Sequence, residues 1–132
     1  MDFSGKNILV TGASSGIGKA TAIYLAAHGA NLYITGRDAN KLKETFSLLN
    51  TSNKHHQIIA DLTNDDEIQK LVSAIVKLDS VVFSAGMVKP FPVKFINRKV
   101  ADELMNINFL SPVLLTAALL KNKKINIFIF KN

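Results

Sequence analysis

Thr11-Gly12-Ala13-Ser14-Ser15-Gly16-Ile17-Gly18 follows directly on the apolar run Asn7-Ile8-Leu9-Val10 and opens a helix-patterned segment that continues to His28. An apolar strand, a glycine-rich turn and a helix, in that order, form the context in which glycine spacing signals a dinucleotide site. Gly12 lets the chain turn tightly off the strand, and Gly16 leaves room for a pyrophosphate to approach the backbone. Gly18 lets the helix pack close to the sheet. The first-turn N–H groups, around Ile17, have no partner within the helix and form an anion site together with the helix dipole. Ser14 and Ser15 can add hydroxyl donors to the same phosphates. The ordinary alternative is a strand-to-helix turn that happens to be rich in glycine. A phosphate-cradling nucleotidase loop is excluded, because Gly18-Lys19 would need a glycine at Ala13 and a hydroxyl residue at Ala20.

A chain of 132 residues is one domain by size and buries roughly two-thirds of its unfolded surface. Hydrophobic residues make up 48%, with eight Phe, a globular composition rather than a disordered one. Without cysteine there is no disulfide, no thiolate chemistry and no Cys-based metal site, and no metal is expected. The net charge of +6 comes from dispersed lysines, with one denser group at Lys121, Lys123 and Lys124. A solvated basic surface is therefore expected rather than a nucleic-acid face, and its field favours an anionic cofactor. Met1 to Lys6 shows no charged-then-apolar leader. Phe109 to Leu120, broken by Ser111, Pro112 and Thr116, is too short an apolar stretch to span a bilayer. A cytoplasmic protein away from membranes is the expectation.

Strands and helices alternate, which predicts an α/β fold with a doubly wound, Rossmann-like parallel sheet. Strands are expected at Asn7–Val10, Asn31–Thr35, Gln57–Ala60 and Ser80–Ser84, with a last one at Ile125–Phe130. The first helix is expected over Ile17–His28, with Ile17, Ala20, Tyr24 and Ala27 on one face and Gly29 as its stop. A second falls near Ala39–Leu49, marked by Leu42, Phe46 and Leu49. Asn64 starts a third, with Glu67 completing a capping box and Ile68, Leu71, Val72, Ile75 and Val76 as its buried stripe. A loop holding Pro90 and Pro92 leads to a long helix over about Asn97 to Leu120. His55 and His56 are expected in a polar loop. Neither a repeat nor a linker divides residues 1–132.

In a dinucleotide fold the residue closing the second strand selects the cofactor. An acidic side chain binds the ribose 2′-hydroxyl and repels a 2′-phosphate, whereas an arginine accepts the phosphate. Here the acidic position carries Gly36, and Arg37 follows it. NADP is therefore expected ahead of NAD. Asp38, close to the same strand end, leaves room for NAD.

The spacing G-x-x-x-G-x-G behind Thr11 resembles the cofactor loop of the short-chain dehydrogenase/reductase family, and 3-oxoacyl-carrier-protein reductases in particular. Further landmarks agree. Asp61-Leu62-Thr63 follows the third strand at the carboxyl edge of the sheet, where the resemblance implies a contact to adenine. Phe83-Ser84-Ala85-Gly86 stands where the family shows Asn-Asn-Ala-Gly. Ala85 and Gly86 match, and Ser84 keeps a donor for a cofactor ribose. Asn108, in Met105-Asn106-Ile107-Asn108, matches the family's catalytic Asn. Pro112, four residues on, has no N–H for the Asn108 carbonyl. A carbonyl freed in this way can hold a water, which in the family belongs to a proton relay; the plain alternative is a kinked helix.

The resemblance implies an oxidoreductase that moves a hydride between nicotinamide and a carbonyl or alcohol carbon, using Ser, Tyr-x-x-x-Lys and Asn. The resemblance covers the cofactor-binding half, so the sheet is expected to stop after about the fifth strand, in the order 3-2-1-4-5. Tyr24 and Tyr33 are followed four residues later by His28 and Arg37, so Tyr-x-x-x-Lys is absent from the 132 residues. No turnover and weak or no cofactor binding are expected of this chain alone. Lys121 to Asn132 contains only Lys, Asn, Ile and Phe, which codons of A and T can encode. A shifted reading frame is one expectation, and a Lys-rich helix end before a plain strand is the other. Two alternatives remain: an inactive NADP-binding module, remnant or sensor, and, from the apolar run at Val113 to Leu120, a module that pairs with a second copy through the 97–120 helix.

Overall fold

Ile8, Leu9 and Val10 are all buried, as expected of a strand covered on both faces rather than one. They belong to β1 (Asn7–Val10), one of the two inner strands of a four-stranded parallel sheet. A computed structural model describes residues 1–50, 52–88, 90 and 92–126. The chain continues through α1 (Gly16–Ala27), β2 (Asn31–Gly36), α2 (Ala39–Ser47) and β3 (His55–Ile59). Next come α3 (Asp65–Ala74), β4 (Ser80–Val82), α4 (Arg98–Met105) and α5 (Ser111–Lys121). The strand order is β3-β2-β1-β4, with Asn7 beside Asn31, Leu32 beside His55 and Ile8 beside Ser80. This is the Rossmann-like arrangement expected from the alternating pattern.

Successive residues of a strand face opposite ways, so the sheet has two cores. Ile8, Val10, Leu32 and Ile34 pack with Ala22, Leu25 and Ala26 of α1 and Leu42 of α2. On the other face Leu9 and Tyr33 pack with Ile68, Leu71 and Val72 of α3 and Leu115 and Leu119 of α5. Side chains satisfy the first amides of three helices. Asp38 accepts from the Lys41 N–H, Asn64 from those of Asp66 and Glu67, and Asn97 from that of Val100.

Several expectations needed correction. The buried face of α1 is Gly18, Ala22, Leu25 and Ala26, while Ile17 is 80% exposed. Apolar content misled there; the close approach of Gly18 to the strand-end turn sets the helix rotation. His55 and His56 lie within β3, not in a loop. There the His55 Nδ1 accepts the Leu32 N–H at 3.1 Å, and the His56 ring stacks on Tyr33. Glu67 does not close a capping box; its carboxylate accepts the Asp61 N–H at 3.1 Å. Val76 is 79% exposed, because α3 ends at Ala74 and Ile75 turns to an extended conformation. β4 is shorter than its apolar pattern and stops at Val82.

The long helix is interrupted by a π-turn over Asn106–Leu110. The Ser111 N–H bonds the Asn106 carbonyl five residues back, and the Ser111 hydroxyl donates to the same carbonyl at 2.8 Å. The turn lies directly before Pro112, which has no N–H, and so absorbs the break in the helical ladder. Taken whole, Arg98–Lys121 is 24 residues and is long and apolar enough to cross a membrane, unlike Phe109 to Leu120 alone. One face of it packs on the sheet, through Ile107, Ser111, Leu115, Ala118 and Leu119. Ile125 bridges Leu78 in parallel beside β4, and residues 127–130 of the strand expected to Phe130 lie outside the described residues.

Candidate functional site

The turn between β1 and α1 is closed toward the sheet and open on the outside. Gly12 and Gly16 both take positive φ, +62° and +57°. A Cβ on Gly12 would lie 2.6 Å from the Ala85 nitrogen, and one on Gly18 would strike the Gly12 carbonyl. A Cβ on Gly16 would meet nothing within 4 Å. Gly12 and Gly18 therefore permit close packing, whereas Gly16 leaves the outer side of the loop free for a ligand. Thr11, read in the sequence only as the head of the motif, ties this turn to the next strand end. Its Oγ1 accepts the N–H groups of Ser84 and Ala85 at 3.1 and 3.2 Å.

At the end of β2 the missing side chain of Gly36 is occupied by Ser14, whose hydroxyl lies where a Cβ would stand. That hydroxyl is buried and bonds to no other group, and the same holds for the hydroxyl of Thr35, the residue before Gly36. Arg37 and Asp38 follow on the rim. Lys41, one turn into α2, faces the same space.

At the end of β3, Asp61 Oδ1 accepts from the Thr63 N–H at 2.9 Å and its hydroxyl at 2.7 Å. These bonds hold the Asp61 carboxyl below its ordinary pKa, and the Arg37 charge adds to the effect. Ser84, Ala85 and Gly86 extend from β4. Beyond them Asn108 holds the backbone of Met87 with both ends of its amide.

These segments surround an open cleft of about 660 Å³ at the carboxyl ends of the strands, where ligands of open α/β sheets bind. Gly12, Ser14, Ser15, Gly16 and Ile17 line one wall, and Arg37, Asp61 and Leu62 another. Ser84, Ala85 and Gly86 complete it. Two residues singled out in the sequence do not line it. Gly18 lies beneath the loop, and Asn108 reaches the cleft only through Gly86 and Met87. Residues that the sequence reading left out are Thr35, Lys41, Ala60 and Ile107. Lys41 carried little local signal, since Arg37 lies before the Asp38 cap and outside α2, so helical spacing does not link the two. Tyr24 stacks on His28, and the Tyr33 hydroxyl accepts from the Val76 N–H; neither lines the cleft.

The model for short chain dehydrogenases matches residues 6–126. This chain belongs to the short-chain dehydrogenase family. Its relatives include a glucose 1-dehydrogenase of Gluconobacter oxydans, 37% identical over 80% of this chain and 42% of that protein. A 3-oxoacyl-[acyl-carrier-protein] reductase of Rickettsia bellii is 34% identical over 96% of this chain and 52% of its own. Among solved structures, a short chain dehydrogenase from Mycobacterium smegmatis superposes with a TM-score of 0.82 at 27% identity, covering 92% of this chain and 54% of that one. The chain spans about half the length of the curated relatives it matches. A nicotinamide dinucleotide, the cofactor expected of a short-chain dehydrogenase, fits the residues present. The turn is open at Gly16, and unbonded hydroxyls lie at Ser14 and Thr35.

Proposed function

We propose that this short-chain dehydrogenase chain holds NADP(H) in the cleft, as the cofactor half of an enzyme acting on a small carbonyl or alcohol compound. We further propose that its 132 residues alone turn over no substrate. The observation that carries the reading is the buried, unbonded Ser14 hydroxyl standing over Gly36 at the inner wall of a glycine turn. Amides of the first turn of α1, with Ser14 and Ser15, bind the pyrophosphate. Arg37 takes the 2′-phosphate. Asp61 and Leu62 contact the adenine, and Ser84, Ala85 and Gly86 the ribose. Asn108 acts as a positioning residue through Met87. When bound, the nicotinamide supplies or accepts the hydride.

Titration calorimetry of the purified chain with NADP⁺ and NAD⁺, paired with an NADPH oxidation assay over carbonyl compounds, tests this. Weak binding that favours NADP⁺, with no oxidation, is the expected result. Heat with neither coenzyme defeats the cofactor assignment, and NADPH consumption defeats the inactivity.

A second reading has its own observation. Phe109, Leu110, Val113 and Leu114 are exposed together along the π-turn and α5. Such a patch supports pairing of two copies through the 97–120 helix. Sedimentation showing a monomer at high concentration would rule this out.

A further inference from the structure

We infer that Lys41 is the residue that decides the cleft in favour of a 2′-phosphorylated ribose; this rests on the nucleotide reading above. Four charged side chains line the cleft around the β2 and β3 ends: Arg37, Asp38, Lys41 and Asp61. Two cations face two carboxylates. Without Lys41, a single cation would stand against two carboxylates, a rim that repels a phosphate rather than binding it.

The carboxylates are placed so that the cations prevail. Asp38 Oδ1 accepts the Lys41 N–H at 3.0 Å as the cap of α2. Asp61 Oδ1 is taken by Thr63. Glu44, also on α2, pairs with Lys19 at 3.2 Å and so does not draw Lys41 away. Among the described residues the Lys41 ammonium has no carboxylate partner. A side chain at the strand end itself would have to displace the Ser14 hydroxyl, which fills the space beside Gly36. Arg37 therefore anchors a phosphate whose second positive neighbour is Lys41, a point charge on a flexible stem.

Calorimetric titrations of the full chain with 2′,5′-ADP and with 5′-AMP, using wild type, Lys41→Gln and Asp38→Asn, test this directly. Wild type is expected to prefer 2′,5′-ADP. Lys41→Gln should lose about tenfold of that preference, with a smaller loss of 5′-AMP affinity and an unchanged circular-dichroism melt. Asp38→Asn, which keeps a capping oxygen, should preserve or raise the preference. Added salt should weaken 2′,5′-ADP binding to wild type more than to Lys41→Gln. A full preference retained in Lys41→Gln overturns the inference. So does 5′-AMP binding with no gain from the 2′-phosphate, which leaves the nucleotide cleft standing. Binding of neither compound overturns both the inference and the cleft reading.

Discussion

Asn108 pairs with the backbone of Met87 as a neighbouring strand would: its Oδ1 accepts the Met87 N–H at 2.9 Å and its Nδ2 donates to the Met87 carbonyl at 2.8 Å. This bond pair joins the π-turn to the segment that leaves β4. A Cβ on Gly86 would stand 2.9 Å from the same Oδ1, so a larger residue there would push the Asn108 amide aside. Asn108→Ala removes both bonds and should cost about 1–2 kcal/mol in urea unfolding. Asn108→Asp keeps the acceptor but sets a carboxylate oxygen against the Met87 carbonyl, and should recover less than half of that. Full stability in Asn108→Ala would refute the clamp.

Thr11 serves two amides at once, so its removal should be felt at Ser84 and Ala85. Thr11→Val keeps the shape but leaves both N–H groups without their acceptor, a loss of about 2–4 kcal/mol. Thr11→Ser keeps the hydroxyl and should stay within about 1 kcal/mol of wild type. Equal midpoints for the two variants in chemical denaturation would contradict the arrangement.

The contact between Ser14 and Gly36 predicts a coupling. Gly36→Ala drives a methyl into the Ser14 hydroxyl and should destabilise by about 1–3 kcal/mol. Adding Ser14→Ala removes that oxygen and leaves only Cβ, 3.3 Å from the new methyl. A double-mutant cycle should therefore show the pair recovering at least about 0.5 kcal/mol over the sum of the single changes. Strict additivity would place the two residues apart.

His55 makes stability depend on pH. Its Nδ1 accepts the Leu32 N–H, and its Nε2 lies 2.7 Å from the Asn50 carbonyl. Only the neutral ring protonated at Nε2 satisfies both partners. Burial chiefly holds its pKa below the ordinary 6.5; the Asn50 bond opposes this and the His56 charge adds to it. A His with a depressed pKa stabilises the fold above its unfolded value and loses that stabilisation as pH falls through the folded one. Thermal melts should thus drop as pH falls below about 6.5, and less so in His55→Asn, which keeps an acceptor for Leu32 but does not titrate. Parallel pH profiles for the two proteins would exclude His55 as the cause.

Local chemistry made much of the fold legible. The strand before Thr11, the glycine spacing, the caps at Asn64 and Asn97 and the stop at Gly29 act over a few residues, and each could be read where it stands. The parallel sheet followed from the alternation of strands and helices, and its order β3-β2-β1-β4 from the family resemblance. Several details could not be read that way. The inward face of α1, the two histidines in β3, the π-turn before Pro112 and the end of α3 at Ala74 depend on neighbours far along the chain. The same division runs through the cleft. Gly12, Gly16 and Arg37 announced themselves by motif, but the sequence does not say that Thr11 would serve Ser84 and Ala85, or that Ser14 would fill the space beside Gly36. Nor does it say that Asn108 would spend its amide on Met87. Chain-local residues choose the turn and the helix start, because their partners lie within one turn of backbone. Contacts across 21 to 74 positions exist only once the sheet has placed its strand ends side by side.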